Sequence, residues 1–239
     1  MLHSIYQISI TNLLLSFIPV TLVIFTFIRW GISISSTIHG LIRMVLQLLL
    51  IGYALTYIFS NDQPIFVIAI LCFMLAAAGF IALRPMRHRD KQIYGKALLA
   101  IATGGIFTLI IVVGLVLSLT PTFNSRYIIP LAGMIFANAM NAVSLGAERF
   151  ESEIEGGKDY HQARAHALRT SLIPITNSLF AVGLVSLPGM MTGQILSGIS
   201  PLIAVRYQIM VMCMVFGAAG ISSAVFLRLQ KKDSVTAKG

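Results

Sequence analysis

Acid is scarce in this sequence. Eight Asp and Glu occur among 239 residues, and all of them (Asp62, Asp90, Glu148, Glu151, Glu153, Glu155, Asp159 and Asp233) lie outside its apolar stretches. Carriers driven by protons or sodium ordinarily keep a carboxylate or His near the bilayer midplane to carry the coupling charge. None is available here, which argues against a secondary transporter and leaves a hard divalent cation without a carboxylate cage. Cysteine is nearly absent as well. Cys72 and Cys213 sit in apolar stretches with no second Cys and no His at metal-ligand spacing, and they read as small apolar side chains. No H-E-x-x-H, C-x-x-C or G-x-S-x-G occurs, and no His or Asp falls inside an apolar stretch, so an intramembrane enzyme lacks its parts. A G-x-x-x-x-G-K-[ST] phosphate loop is also missing, and the chain is therefore expected to hydrolyse no ATP by itself.

What fills the sequence instead is hydrocarbon. Hydrophobic residues make up 57% and charged residues 10%, with a mean hydropathy of +0.88; a soluble domain carries about 25% charge. An α-helix rises about 1.5 Å per residue, so roughly twenty apolar residues cross a hydrocarbon core about 30 Å thick. Seven such spans can be read, at 9–28, 41–59, 65–83, 97–119, 127–147, 172–191 and 203–227. None alternates with period two, which excludes a β-barrel. The first has no basic flank before it and Arg29 after it, the polarity of a retained helix rather than of a cleaved leader. The expected fold is an all-α polytopic membrane protein, one permease-like domain over 1–239.

Charge in the gaps sets an expected orientation. Fourteen of the seventeen Lys and Arg fall after spans one, three, five and seven, and one, Arg126, falls on the opposite side. Short loops rich in Lys and Arg stay in the cytoplasm, so the N-terminus is expected outside and the C-terminus inside. The net charge of +9 then faces anionic lipid headgroups rather than nucleic acid.

Few polar groups enter the spans. Arg43 and Gln47 are four apart and share a helix face; Met134, Asn138 and Asn141 form a similar stripe; Arg206, Tyr207 and Gln208 open span seven. Asn and Gln in a span either hydrogen-bond between helices or line a path, and both readings stand. Span six is irregular. Pro174, Pro188 and Pro201 are expected to cut it, and the run Pro188-Gly189-Met190-Met191-Thr192-Gly193 cannot be a uniform helix. Broken helices of this kind form substrate sites or gates; Gly189-x-x-x-Gly193 spacing also suits close helix packing. Gly104, Gly105, Gly114, Gly217 and Gly220 are expected on packing faces.

The longest gap on the cytoplasmic side is 148–171. Its acidic start, 148–155, reads as a solvated connector. After Gly156-Gly157, Asp159 is a plausible N-cap with Gln162 as capping-box partner, and 160–170 reads as a short amphipathic helix carrying Ala163, Ala167 and Leu168 on one side. A capped helix between two spans suits docking of a cytosolic motor, at Gly157, Asp159, Gln162 and Ala163.

These residues resemble the permease subunits of iron-export ABC transporters of the FetB type, which include plant aluminium-tolerance half-transporters. The match is strongest from Val182 through Leu187-Pro188-Gly189-Met190-Met191-Thr192-Gly193, and it continues through Ile195, Gly198, Pro201, Ala204 and Tyr207-Gln208-Ile209-Met210-Val211. Arg43, Gln47, Gly52-Tyr53, Pro130, Gly133-Met134 and Asn138-Ala139-Met140 also fit. The chain departs from the family at Glu155-Gly156-Gly157-Lys158-Asp159, where a small apolar lead-in is usual. The resemblance implies a multi-pass inner-membrane permease that works as two copies with a separate ATPase, which binds the ATP and Mg; no cofactor belongs to this chain. It links the cargo to iron or another metal. A channel or secondary carrier for a metal ion or small solute is the alternative.

Overall fold

The computed structural model describes residues 8–60, 63–118 and 124–230. Among these residues every regular element is helical. The chain divides into two compact units, Met1–Asn61 and Asp62–Gly239.

The first unit holds α1 (Ile10–Leu15), α2 (Ile18–Arg29) and α3 (Ser35–Ser60). Ser9 caps α1 by accepting from the Asn12 N–H at 3.2 Å. Pro19, in the first turn of α2, cannot donate to the preceding turn, and the helix breaks at Ser16–Phe17 before resuming. With that break, Ile10–Arg29 still has the length and composition of one membrane crossing, and Ser35–Thr56 of a second. Neither segment has a buried residue.

The second unit holds α4 (Pro64–Ala82), α5 (Lys91–Ile110), α6 (Ser125–Glu155), α7 (Tyr160–Ala181), α8 (Gly189–Leu196) and α9 (Pro201–Leu229). Helix α5 continues into a π-helical turn at Ile111–Val116. Helix α9 is the hub, with α5, α6, α7 and α8 all packed on it, while α4 packs on α5 and α6. Small residues allow the approach. A Cβ on Gly104 would fall on the Ser222 side chain and 2.8 Å from its backbone nitrogen, and one on Gly105 would lie 2.7 Å from the Phe136 ring. The expected packing role thus holds at Gly104 and Gly105. A Cβ at Gly114, Gly217 or Gly220 would meet nothing within 4 Å, so these three do not mediate close contact within the chain.

Among the described residues six helical segments, α1 with α2 counted as one, are long and apolar enough to cross a membrane, and the protein is a polytopic all-α membrane protein. The expected sixth span, 172–191, is not one helix. Pro174 does not interrupt α7, which runs through it to Ala181 because the preceding and following turns keep their bonds; Ser178 Oγ donates to the Pro174 carbonyl at 3.0 Å. The break comes later. Gly183, with φ +84°, reverses the chain, and its N–H bonds the Ser186 carbonyl at 3.0 Å, closing a tight turn ahead of α8. The expected short helix 160–170 is accordingly the first half of a 22-residue helix. The expected connector 148–155 is likewise not a connector, since it forms the last turns of α6. At 31 residues, α6 is about 46 Å long and outreaches the hydrocarbon.

Candidate functional site

The amide stripe on α6 meets α7 and α9 at a small polar cavity of about 90 Å³, to which Asn138, Asn141, Ser171, Pro174 and Ser178 contribute. Asn138 Nδ2 donates to the Met134 carbonyl one turn back at 2.8 Å, which leaves the rest of its amide for the cavity. Ser171 Oγ donates to the Leu168 carbonyl and lies 2.8 Å from Ser223 Oγ on α9. Met134, Asn138 and Asn141 therefore do share a face, as their spacing predicts, and α7 adds hydroxyls that sequence reasoning missed. Their signal was present: Ser171 and Ser178 are seven apart, two turns along one face, but the three prolines drew attention to a break instead.

A second, larger cavity of about 340 Å³ lies where α7 ends and α8 returns against α9. Gly183, Leu187, Met191, Val205, Gln208 and Cys213 are among its walls. Gln208 is 5% exposed and its Oε1 has no hydrogen-bond partner among the described residues. Of the residues expected at a gate, Met191 and Gln208 come together here. Pro188 stands at the N-cap of α8 and Gly189 begins the helix; a Cβ on Gly189 or Gly193 would meet nothing within 4 Å, so their spacing serves no close packing within the chain. Met190 is half-buried, and Arg206 and Tyr207 line neither cavity. In the first unit, Arg43 and Gln47 pair as their spacing predicts: with the amide oxygen turned toward the guanidinium, Arg43 Nε donates to it at 2.9 Å.

The charged end of the second unit is built around Glu153, which is 5% exposed although fully ionisable. Lys158 and Arg149 each reach its carboxylate at 2.5 Å, and His166 Nδ1 at 3.3 Å. The hydrogen bond from Lys158 leads in holding this carboxyl down to about 2; burial opposes it, and His166 and Arg149 add to it. Sequence reasoning took 148–155 for a solvated connector, whereas Glu151, Glu153 and Glu155 each have a basic partner supplied by another segment. Burial disfavours the charged form of Glu151, yet its pKa is lowered, because the N–H groups of Arg87 and His88 and the His88 ring bond it. Glu155 pairs with Arg87 at 3.1 Å.

Asp159 caps α7 as expected, accepting from the N–H groups of His161 at 2.7 Å and Gln162 at 3.0 Å. Gly157, at φ +83°, makes the turn that brings Lys158 back to Glu153. Tyr160 packs edge-on against Phe150, with ring centroids 6.0 Å apart. The face that α7 leaves open carries His161, Gln162 and Ala165. Ala163 is fully buried beside Ala167, so the expectation that it touches a partner is corrected: it faces the fold. Among the described residues one set of His, Cys, Asp and Glu side chains offers metal-ligand atoms within 4.8 Å of one another, His88, Glu151 and Glu155. These atoms are already engaged by Arg87 and by one another.

A bundle of apolar helices packed on α9, with membrane-length segments among its described residues, defines a multi-pass membrane protein. The chain belongs to the uncharacterised protein family UPF0014, whose model matches residues 9–234. It is 36% identical over 203 residues to Protein ALUMINUM SENSITIVE 3 of Arabidopsis thaliana, covering 78% of this chain and 72% of that one. It is 35% identical over 198 residues to the probable iron export permease protein FetB of Escherichia coli, covering 77% and 75%. The UPF0014 membrane protein YjkA of Bacillus subtilis is 32% identical over 230 residues, 90% of each chain. The resemblance read from the sequence thus holds over most of its length. No solved structure matches the chain.

Proposed function

We propose that this protein is the membrane-spanning permease subunit of an ABC transporter, resident in the inner membrane, exporting iron or another metal species with ATP hydrolysed by a separate subunit. The observation that carries the proposal is the construction of the charged end. Asp159 caps α7, Glu153 ties its start to α6, and Tyr160 ties it to α9, so a push on the open face at Gln162 and Ala165 is delivered to both partners of the polar cavity. A helix held this rigidly transmits force where a solvated loop would absorb it. FetB, named as a probable iron export permease, supports the direction and the metal.

In this reading the charged end is cytoplasmic, two copies of the chain form the pathway, and the motor binds ATP and Mg. Asn138, Asn141 and the α7 hydroxyls line that pathway, because amides and hydroxyls at membrane depth need polar partners or water. The stretch 188–193 acts as its outer gate. Cysteine at Gln162 or Ala165 should crosslink to the ATPase encoded with this chain, while cysteine at the buried Ala163 should not. Crosslinks confined to the 84–96 segment would refute the assignment of the coupling helix.

A further inference from the structure

The run Met210-Val211-Met212-Cys213-Met214 puts four sulfur side chains in five consecutive positions of α9, in a chain with 11 Met and 2 Cys among 239 residues. Residues four apart share a helix face, so Met212 lies one turn beyond Gln208, and Cys213 one turn beyond Ile209. Gln208, Ile209, Met212 and the exposed Cys213 line the 340 Å³ cavity, and Met191 joins them from α8, while Met210 and Met214 do not. Three of its ten lining side chains carry sulfur. Gln208 adds an oxygen to the same wall, its buried Oε1 having no hydrogen-bond partner among the described residues.

We infer that this cavity is a binding site for a soft monovalent d10 cation of the Cu(I) or Ag(I) kind, held by the Met191 and Met212 thioethers, the Cys213 thiolate and Gln208 Oε1. Thioether and thiolate ligands select soft ions, whereas hard divalent cations take six or more oxygens, which this wall does not offer. Charge points the same way. Binding replaces the thiol proton, Cys213–SH + M⁺ → Cys213–S–M + H⁺, with the proton passing to water and the product neutral. A divalent ion would leave one positive charge uncompensated among apolar walls at membrane depth. The inference goes beyond the proposed function, since binding is a property of this chain whether or not an ATPase is attached.

The test uses the full chain in lipid nanodiscs with Cys72→Ser, which leaves Cys213 as its one thiol. The chain is loaded with Ag⁺ as the probe, exposed to excess glutathione as competing thiol and desalted, and Cys213 alkylation by N-ethylmaleimide is then followed by intact mass. One equivalent of Ag⁺ should slow alkylation about tenfold or more despite glutathione, and Zn²⁺ and Fe²⁺ should not. Met212→Leu conserves volume and should raise the Ag⁺ needed for half-protection about tenfold, while Met44→Leu, in the first unit and outside the cavity, should leave it unchanged. X-ray absorption at the silver edge should count three sulfur neighbours in the chain with its methionines intact, a result that depends on no further variant folding. Protection abolished by glutathione, protection indifferent to Met212→Leu, equal protection by Zn²⁺, or a single sulfur neighbour would each overturn the site. None of these outcomes bears on crosslinking at Ala165, so the two proposals fail separately.

Discussion

The Tyr160 hydroxyl donates to the main-chain carbonyl of Leu227 at 3.1 Å, joining the first residue of α7 to the last turn of α9. That carbonyl is one of the four at a helix end that have no partner within the helix. The bond therefore satisfies α9 and fixes the position of the coupling segment at the same time. Tyr160→Phe keeps the ring packed against Phe150 and removes only the bond. A net cost of about 1 kcal/mol is expected, read as a lowered thermal midpoint. If force passes through this joint, transport per ATP hydrolysed should fall by more than the loss of folded protein explains.

Glu153 predicts a pH dependence. Its carboxyl is held at about 2 against a reference value of 4.5. A depressed folded-state pKa stabilises the folded form fully above the unfolded value, and that contribution is lost as pH falls from about 4.5 toward 2. Hydrogen exchange at 150–166 should accelerate through this window in the parent chain. In Glu153→Gln exchange should already be faster at neutral pH and show a weaker acid response.

Glycines that the sequence presents alike should behave differently. Gly104→Ala sets a methyl against Ser222 and the Ala218 carbonyl, 3.0 Å away, and should reduce expression and lower the thermal midpoint. Gly189→Ala meets open space and should fold normally. If 188–193 is the gate, Gly189→Ala should nevertheless lose flux per assembled complex while ATP hydrolysis continues. Unimpaired flux there would remove the gate from the pathway.

Much of the fold was legible because hydrocarbon length is a strong local signal. The spans at 65–83 and 203–227 coincide with α4 and α9 to within a few residues, while α5 begins at Lys91, well before the expected 97, and its π-helical continuation ends at Val116. The cap at Asp159 was legible for the same reason, being a contact between near neighbours. What could not be read required partners distant in the chain. The ion pairs that turn 148–155 into helix depend on Arg87, His88, Lys158 and His166. Pro174 looked like a break because sequence alone does not show whether the surrounding turns hold the helix. The spacing placed Ala163 and Ala167 on one side of the helix but not what covers that side, which is the fold itself rather than a partner. The sulfur-lined cavity depends on α8 folding back on α9.

Orientation has its own test. Ser4→Cys and Ser234→Cys lie outside the described residues, near the two ends of the chain. In intact cells, an impermeant thiol reagent should label the first and spare the second, as fourteen basic residues on one side against one on the other require. Labelling of both, or of neither, would place the ends on one side, and the stretch from α7 to α8 would then be re-entrant.

An ATP-driven permease is tested most directly in vesicles that hold this chain with and without its ATPase, loaded with a panel of metals that includes Fe²⁺ and Ag⁺. Metal flux should require both the ATPase and ATP, and it should collapse in Asn138→Leu/Asn141→Leu vesicles that still hydrolyse ATP. Downhill flux of equal rate through the chain alone, indifferent to ATP, would contradict the permease and make it a channel.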